Sequence, residues 1–128
     1  MALPEEVIDT PRVPRLGPYS QVVRVGDLLF IAGQAGLDPA TGQAAGPDFE
    51  TQARQAFANL AVLLEDAGSH LRRVVKVTCF MAEASGFATL NQIFADLWPE
   101  APPVRSAPIV TLPRGLLFSV EAIAVAAK

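Results

Sequence analysis

The clearest feature of the chain is a helical spacing of apolar residues between positions 49 and 67. Apolar side chains recur there every three or four residues, which predicts an amphipathic α-helix. Asp48 is a residue type that caps helix N-termini, and Gly68 is a type that ends helices. The polar face of this predicted helix carries Gln52, Arg54, Gln55, Asn59 and Glu65.

A second helix is predicted to begin around Ser85, which is a good N-cap residue, and to end at Pro99. Its apolar stripe consists of Phe87, Leu90, Phe94, Leu97 and Trp98. Asn91 falls within this stripe, where an amide is unexpected. It either caps a loop or lines a cleft, and the pattern alone does not decide between these roles.

Strand-like runs fill most of the remaining chain, with apolar residues in alternation or in short blocks. They span residues 6–9, 20–25, 28–32, 74–81, 105–110 and 116–126. Gly26-Asp27 forms a hairpin turn between the second and third runs, and residues 33–47 form a loop rich in Gly and Pro. Two helices among hairpin-linked strands predict a single α+β domain over residues 1–128.

The last predicted strand is apolar on both of its faces. Phe118, Val120 and Ala122 point one way, while Leu117 and Ile123 point the other way. Helices cover only one face of a sheet, so the other face needs a partner. The hydrophobic content of 51% and the mean hydropathy of +0.33 agree with a homo-oligomer. A membrane span is excluded as the explanation, because no run approaches about 20 apolar residues.

Charge and cysteine content narrow the function classes further. Ten basic and thirteen acidic residues give a net charge of −3 and a pI near 5.0, which opposes broad nucleic-acid binding. The single cysteine, Cys79, excludes an internal disulfide, and a reduced cytoplasmic setting is expected. The first ten residues have no apolar run, so no secretion signal is expected. One cysteine and one histidine are too few for a structural zinc site, and no metal is expected.

Arg105 is the residue whose side chain most clearly requires a particular partner, namely an anion. It stands between apolar neighbours in Pro103-Val104-Arg105-Ser106, and a buried guanidinium without an anion is strongly destabilising. Its planar fork of donors fits a carboxylate. The candidate anions are the chain's own Glu121 and a small acid from solution.

Several short segments, taken in order, form a specific combination. They are Gly17-Pro18-Tyr19-Ser20-Gln21, Ala32-Gly33-Gln34, the stretch 52–68, Val74-Val75-Lys76-Val77-Thr78, Phe87 with Asn91, Pro103-Val104-Arg105-Ser106, Leu112-Pro113 and Glu121-Ala122-Ile123-Ala124. Together they resemble the RidA/YjgF family of imine and enamine deaminases, also called L-PSP endoribonucleases. The resemblance covers almost the whole chain.

This resemblance implies both a fold and an activity. The fold would be chorismate-mutase-like, with a six-stranded, mainly antiparallel sheet and two helices on one face. Three copies would close their sheets into a central barrel, with an active site in each cleft between subunits. The activity would be hydrolysis of 2-imino and 2-enamino acids to 2-oxo acids and ammonia, with no cofactor, in a cytoplasmic homotrimer.

The resemblance also implies roles for particular residues. Arg105 would grip the substrate carboxylate, and the backbone carbonyl of Ala107 would hold the substrate nitrogen. Tyr19 and Gly33 would line the cleft, although Tyr19 could equally be a packed aromatic and Gly33 could serve a tight backbone approach. Phe87 and Asn91 complete the set of candidate substrate contacts.

The last strand departs from the family pattern. Many members read Glu-Ile-Glu-Ala where this chain reads Ser119-Val120-Glu121-Ala122, so the catalytic glutamate falls on Ser119. Ala107 replaces a common cysteine, Pro108 interrupts a usual strand position, and the loop between Asn91 and Arg105 is short.

The serine changes the expected chemistry. A hydroxyl can orient water but accepts protons poorly, and general acid–base help is worth about 10²–10⁴-fold in rate. A slower deaminase or one with an altered substrate is therefore expected. Glu121, roughly 6–7 Å along the same strand face, either compensates for the serine or has a structural role, in which it pairs with a basic residue or caps neighbouring backbone amides. The alternative function is a trimer that binds or senses small carboxylates without turnover.

Overall fold

Six strands form one sheet, and two α-helices lie against it. The computed structural model describes residues 6–127. The strands are β1 (Glu6–Ile8), β2 (Val22–Val25), β3 (Leu28–Ala35), β4 (Val74–Met81), β5 (Val104–Ser106) and β6 (Phe118–Val125), and the helices are α1 (Phe49–Asp66) and α2 (Phe87–Leu97). The strand order is β1-β2-β3-β6-β4-β5, and all pairs are antiparallel except β4 with β5. The α+β prediction is confirmed; residues 1–5 and 128 of the predicted domain lie outside the described residues.

Both predicted ends of α1 are confirmed. The Asp48 carboxylate accepts hydrogen bonds from the Thr51 backbone N–H and hydroxyl, each at 3.0 Å. These two donors lower the pKa of the Asp48 carboxyl. At the other end Gly68 has a φ of 76°, a conformation that favours glycine, and the Ser69 N–H donates back to the Leu64 carbonyl at 2.7 Å.

The predicted start of α2 at Ser85 is wrong. A 3₁₀ turn over Ala84–Gly86 precedes the helix, which begins at Phe87, and the Ser85 side chain caps nothing. Gly86 is buried against the Phe49 ring, where an added Cβ would approach ring carbons to 2.8 Å. The helix start is therefore fixed by packing against α1 rather than by a capping side chain.

Two residues placed on the polar face of α1 are buried instead. Gln52 donates to the Gly46 carbonyl and accepts from the Leu117 N–H, each at 2.9 Å. Asn59 donates to the Leu37 carbonyl at 2.9 Å and accepts from Gln55. These amides fasten the glycine-rich loop and the start of β6 to the helix, because buried backbone groups in loops need partners.

The inner face of the sheet and the helices share one core. Phe57 on α1 makes edge-to-face contacts with Phe94 and Trp98 on the α2 side, and its ring packs against Phe118 of β6. Gly36 lets the loop after β3 meet α1, since an added Cβ would lie 2.0 Å from the Gln52 carbonyl oxygen. No helix in the described residues is long and apolar enough to cross a membrane.

β4 and β5 differ in detail from their predicted strands. A register shift between Val74 and Lys76 buries Val74 and leaves Val75, predicted to share a face with Val77, 43% exposed. β5 is shorter than the predicted 105–110 and stops before Pro108, whose ring nitrogen cannot donate to the ladder. Pairing resumes only as an isolated bridge between Met81 and Ile109.

The two faces of β6 are confirmed as predicted. Phe118, Val120 and Ala122 are buried beneath the helices, while Ser119 and Ile123 are half-buried on the other face. That second face is open in a single copy of the chain: Phe30, which pairs with Ile123, is 41% exposed. An apolar sheet face that remains open is the kind of surface that partner subunits cover.

Cys79 provides a first test of the core. Its side chain is fully buried, and burial raises the pKa of the thiol to about 12. At pH 8 only about one in 10⁴ of the Cys79 side chains is then ionised to the reactive thiolate. The native protein should therefore resist a disulfide reagent such as dithiobis(nitrobenzoate). One thiol per chain should react once urea unfolds the protein. Fast labelling of the native state would contradict the burial of Cys79.

Candidate functional site

The residues predicted from the sequence to form one site lie in separate places on the chain. Arg105 contacts Asn91 and Phe87 on the α2 side of the sheet. Tyr19, Gly33 and Ser119 line a common cavity. Glu121 lies in a groove on the open face. Ala107 follows β5 and packs against the core.

The Arg105 side chain is oriented by the strand register of β5. Arg105 pairs with Val77, and Val77 pairs with Ala122 of β6; both of these partners face the helices. The guanidinium therefore turns towards α2, where its Nη2 donates to Asn91 Oδ1. Asn91 is thus neither a loop cap nor part of the buried stripe: it is exposed and contacts Arg105.

The guanidinium packs over two aromatic rings. Its central carbon lies 4.6 Å from the Phe94 ring centre and 5.3 Å from the Phe87 ring centre. A cation over an aromatic face is attracted by the ring quadrupole. Phe94 is itself fixed by Trp98, whose ring centre lies 4.9 Å away. The guanidinium therefore has a defined position while remaining half-buried.

No carboxylate within residues 6–127 pairs with Arg105. A groove of about 290 Å³ opens beside the guanidinium, lined by Ala95, Trp98, Pro102 and Pro103. Asn91 accepts a hydrogen bond from only one nitrogen of the guanidinium. The other N–H groups remain able to donate to a ligand. The arrangement suits a guanidinium that receives a carboxylate from outside the chain.

Glu121 is not the anion for Arg105. It pairs with Thr78, and Thr78 pairs with Ser106, the neighbour of Arg105. Because side chains alternate along a strand, Glu121 and Arg105 point to opposite faces of the sheet. Glu121 is exposed and its side chain makes no ion pair or hydrogen bond within residues 6–127, so there it neither pairs with a basic residue nor caps backbone amides, and both predicted roles are wrong for this part of the chain.

The cavity around Ser119 brings three of the predicted residues together. Its volume is about 140 Å³. Tyr19 lines it, and the Tyr19 hydroxyl accepts a hydrogen bond from the Leu16 N–H at 3.1 Å. Gly33 lies beside Ser119 at a register shift in β3, where an added Cβ would be 3.2 Å from Ser119 Oγ. The tight approach suggested for Gly33 is therefore present, its missing side chain leaves room above the serine, and a still closer approach occurs at Gly36.

Arg105 and Ser119 are far apart within one chain. They are separated by two strand spacings and by the three residues from Ala122 to Ser119, which puts their Cα atoms about 14 Å apart. They also point to opposite faces of the sheet. A molecule with three or four carbons cannot touch both residues of one copy.

Sequence reasoning missed Phe94 as a neighbour of Arg105. Phe87, Asn91 and Phe94 are spaced by four and three residues on α2, and this spacing places them on one helix face. All three contact the same guanidinium. The spacing was visible in the sequence, but Phe94 looked like an ordinary core residue, which it also is.

Replacement of Phe94 by leucine should weaken carboxylate binding. The substitution keeps an apolar side chain but removes the ring under the guanidinium, and a partly desolvated cation–π contact is worth about 0.5–2 kcal/mol. We expect calorimetric affinity for a small carboxylate such as pyruvate to fall about two- to thirtyfold. Phe94→Tyr, which retains the ring, should bind nearly as the parent does.

The matched control for this substitution is Phe49→Leu. Phe49 packs edge-to-face on Phe118 and does not contact Arg105. Both leucine variants should lower the unfolding midpoint, but only Phe94→Leu should lower pyruvate affinity. Equal affinity losses in the two variants would mean that Phe94 acts only through general stability.

Comparison with known proteins gives one consistent family. A family model described as Endoribonuclease L-PSP matches residues 10–126. A RutC family protein of Pyrococcus horikoshii is 42% identical over 122 residues, covering 94% of this chain and 97% of its own length. A mouse protein named 2-iminobutanoate/2-iminopropanoate deaminase is 40% identical over 122 residues, covering 94% of this chain and 90% of its own.

Solved structures agree with the sequence comparison. The crystal structure of RidA from the Antarctic bacterium Psychrobacter sp. PAMC 21119 has a TM-score of 0.90 to this chain, with 37% sequence identity. The match covers 94% of this chain and 99% of that one. With sequence, topology and family model in agreement, the chain belongs to the Endoribonuclease L-PSP family, which includes the RidA/YjgF proteins.

Proposed function

We propose that this protein hydrolyses 2-imino and 2-enamino acids to 2-oxo acids and ammonia. The observation that carries the proposal is the Arg105 guanidinium, which is held by Asn91 and Phe94 yet has no carboxylate partner within residues 6–127. An imino acid supplies the missing carboxylate. Relatives that are 36–40% identical are named 2-iminobutanoate/2-iminopropanoate deaminases, which supports the reaction type.

We further propose that the active unit is a homotrimer with sites between subunits. A substrate bound to Arg105 of one copy would meet Tyr19, Gly33 and Ser119 of a neighbour, since these residues are too distant within one chain. The open apolar face around Phe30 and Ile123 would be covered in the assembly. Light scattering should then give three times the 13.6 kDa chain mass.

The shared site has a direct test by complementation. Arg105→Ala removes the clamp, and Gly33→Trp blocks the cavity, so each variant alone should be inactive. If the two halves come from different copies, trimers reassembled from a mixture contain some intact sites. Activity that reappears on mixing supports the shared site, and none after verified exchange of subunits opposes it.

The proposed reaction needs few groups. Arg105 binds the carboxylate and draws electrons from the neighbouring imine carbon, while the Ala107 carbonyl accepts a hydrogen bond from the substrate nitrogen. Ser119 orients a water molecule, whose oxygen bonds to the imine carbon as a proton passes to the nitrogen. The hydroxyl of the resulting carbinolamine then passes its proton to the nitrogen as the C–N bond breaks and the C=O bond forms, which releases ammonia and leaves the 2-oxo acid. An enamine first takes a proton at carbon 3.

The test of this function uses an imine that is generated in situ, because such imines decay in water. An amino-acid oxidase converts 2-aminobutyrate to 2-iminobutanoate, whose decay is followed by absorbance with and without the assembled protein. We expect faster decay in proportion to protein concentration. Decay no faster than in buffer, for this imine and for longer ones, would reject the activity.

The serine at position 119 supports a second candidate function, in which a non-catalytic trimer binds or senses small carboxylates. A hydroxyl replaces the carboxylate that many members place there, so the clamp could persist without turnover. Calorimetric binding of 2-oxo acids that is lost in Arg105→Ala, with no imine hydrolysis, would favour this candidate.

Nucleic acid is not among the proposed partners. Arg12, Arg15 and Arg54 are exposed and Arg24 is half-buried, but each is paired with carboxylates of the same chain. Such pairs reduce the positive field that phosphate binding requires. Single-stranded RNA should therefore stay intact with the purified protein at physiological salt. The cytoplasmic setting also stays a prediction.

A further inference from the structure

Among residues 6–127, no charged side chain lines the cavity that contains Ser119. Its wall consists mainly of Pro14, Leu16, Leu37, Leu112, Leu116 and Phe118. An ionised group moved from water into such a wall would lose its hydration without gaining a partner. The cavity therefore selects against charged occupants.

The polar groups at this cavity are mostly engaged with the protein itself. The Tyr19 hydroxyl accepts from the Leu16 N–H, and the Asn59 amide holds the Leu37 carbonyl. Gln34 donates to the Ala32 carbonyl at 3.0 Å. Ser119 is the exception, because its hydroxyl makes no hydrogen bond within residues 6–127. An occupant thus meets the free Ser119 hydroxyl, and the Tyr19 O–H that donates to no acceptor within residues 6–127, in a mostly apolar space.

The cavity volume fixes the size of the occupant. At about 140 Å³ it is close to the engineered apolar cavities of roughly 150 Å³ that bind benzene. A methyl or ethyl group would leave most of this space unfilled, whereas an isobutyl or benzyl group would fill it. Small size at positions 33 and 119 contributes to this space, since Gly33 has no side chain and Ser119 has a short one.

From these observations we infer that the cavity receives the apolar side chain of the substrate, which makes branched aliphatic and aromatic 2-imino acids the preferred substrates. The inference rests on the proposed function, because it takes the carboxylate to be held by Arg105 of a neighbouring copy. Each methylene moved from water into the cavity favours binding about fourfold. The leucine-derived imine, with three more carbons than the alanine-derived imine, should then be preferred by about 60-fold in kcat/KM.

The experiment compares a series of imines made by amino-acid oxidases from alanine, 2-aminobutyrate, leucine, phenylalanine and glutamate. For the unmodified trimer, kcat/KM should rise from alanine to leucine and should fall for the charged glutamate product. Leu16→Trp, which fills the cavity from its half-exposed rim, should reduce turnover of the leucine-derived imine about tenfold. The alanine-derived imine, whose methyl group needs little of the cavity, should lose less turnover, so the preference for the leucine-derived imine over the alanine-derived one should fall.

The outcomes separate the inference from the function on which it rests. Hydrolysis of all the imines at similar rates, or fastest for the alanine product, overturns the apolar pocket while the deaminase proposal stands. If no imine is hydrolysed, the deaminase proposal fails, and calorimetry decides about the pocket. In that case 4-methyl-2-oxopentanoate should bind at least tenfold more tightly than pyruvate; equal affinities overturn the inference.

Discussion

Arg105→Ala should abolish the binding of small carboxylates to this protein. A guanidinium and a carboxylate form two parallel charge-assisted hydrogen bonds, each worth about 1.5–3 kcal/mol. Their loss corresponds to a decrease in pyruvate affinity of about 10²-fold or more, measured by calorimetry. Imine hydrolysis should fall by a similar factor in kcat/KM, because the carboxylate is bound in the transition state as well.

Arg105→Lys should give an intermediate result. It keeps the positive charge but loses the planar fork and the flat surface that lies over the Phe94 ring. We expect about tenfold weaker pyruvate binding than in the parent. A lysine variant equal to the parent would show that charge alone suffices and that the aromatic platform has no positioning role.

Arg72→Ala is the matched control for Arg105→Ala. Arg72 is exposed in the 3₁₀ turn Leu71–Arg73 and makes no hydrogen bond or ion pair within residues 6–127. Its removal subtracts the same charge from each chain and should leave pyruvate affinity within twofold. If Arg105→Ala also stayed within twofold, with the trimer intact, the clamp role and the deaminase proposal would both fail.

The architecture was largely predictable because long periodic segments dominate it. The 49–67 spacing gave α1 and both its ends, and the two apolar faces of the last strand correctly predicted an open sheet face beside β6. These features depend on local periodicity and on capping chemistry, and both are determined by residues that are close together in the sequence.

The errors lie where distant residues decide the outcome. Gln52 and Asn59 look like solvent-facing helix residues until the loop after β3 supplies carbonyls for them to hold. Ser85 has the right chemistry for a cap, yet the packing of Gly86 against Phe49 sets the start of α2. The shift at Val74 depends on how β4 pairs with β6, and no single segment encodes that register.

The candidate site was predictable as a set of residues but not as an arrangement. Strand parity puts Arg105 and Glu121 on opposite faces, and this requires the β5–β4–β6 register. The separation of Arg105 from Ser119 likewise follows from topology. Under the proposed function a single chain presents two half-sites, and only an assembly of copies would bring them within reach of one small substrate.

Ser119→Glu should convert the protein into a faster deaminase for small imines. A positioned carboxylate can take a proton from the attacking water and return it to the departing nitrogen, a contribution of about 10²–10⁴-fold. Gly33 leaves space over position 119, and the cavity is large enough for the longer side chain. We expect kcat for 2-iminobutanoate to rise by about 10²-fold.

The pH dependence should identify the new group. The cavity lining is uncharged, so burial should raise the pKa of an introduced glutamate above its usual value near 4.3. Because only the ionised form accepts a proton, the rate should climb as pH rises through that pKa. Ser119→Gln has the same shape but does not ionise, so it should show neither the rise in kcat nor the new pH limb. A glutamine variant as fast as the glutamate variant, or a folded glutamate variant no faster than the parent, would show that position 119 has no acid–base role in the cleft.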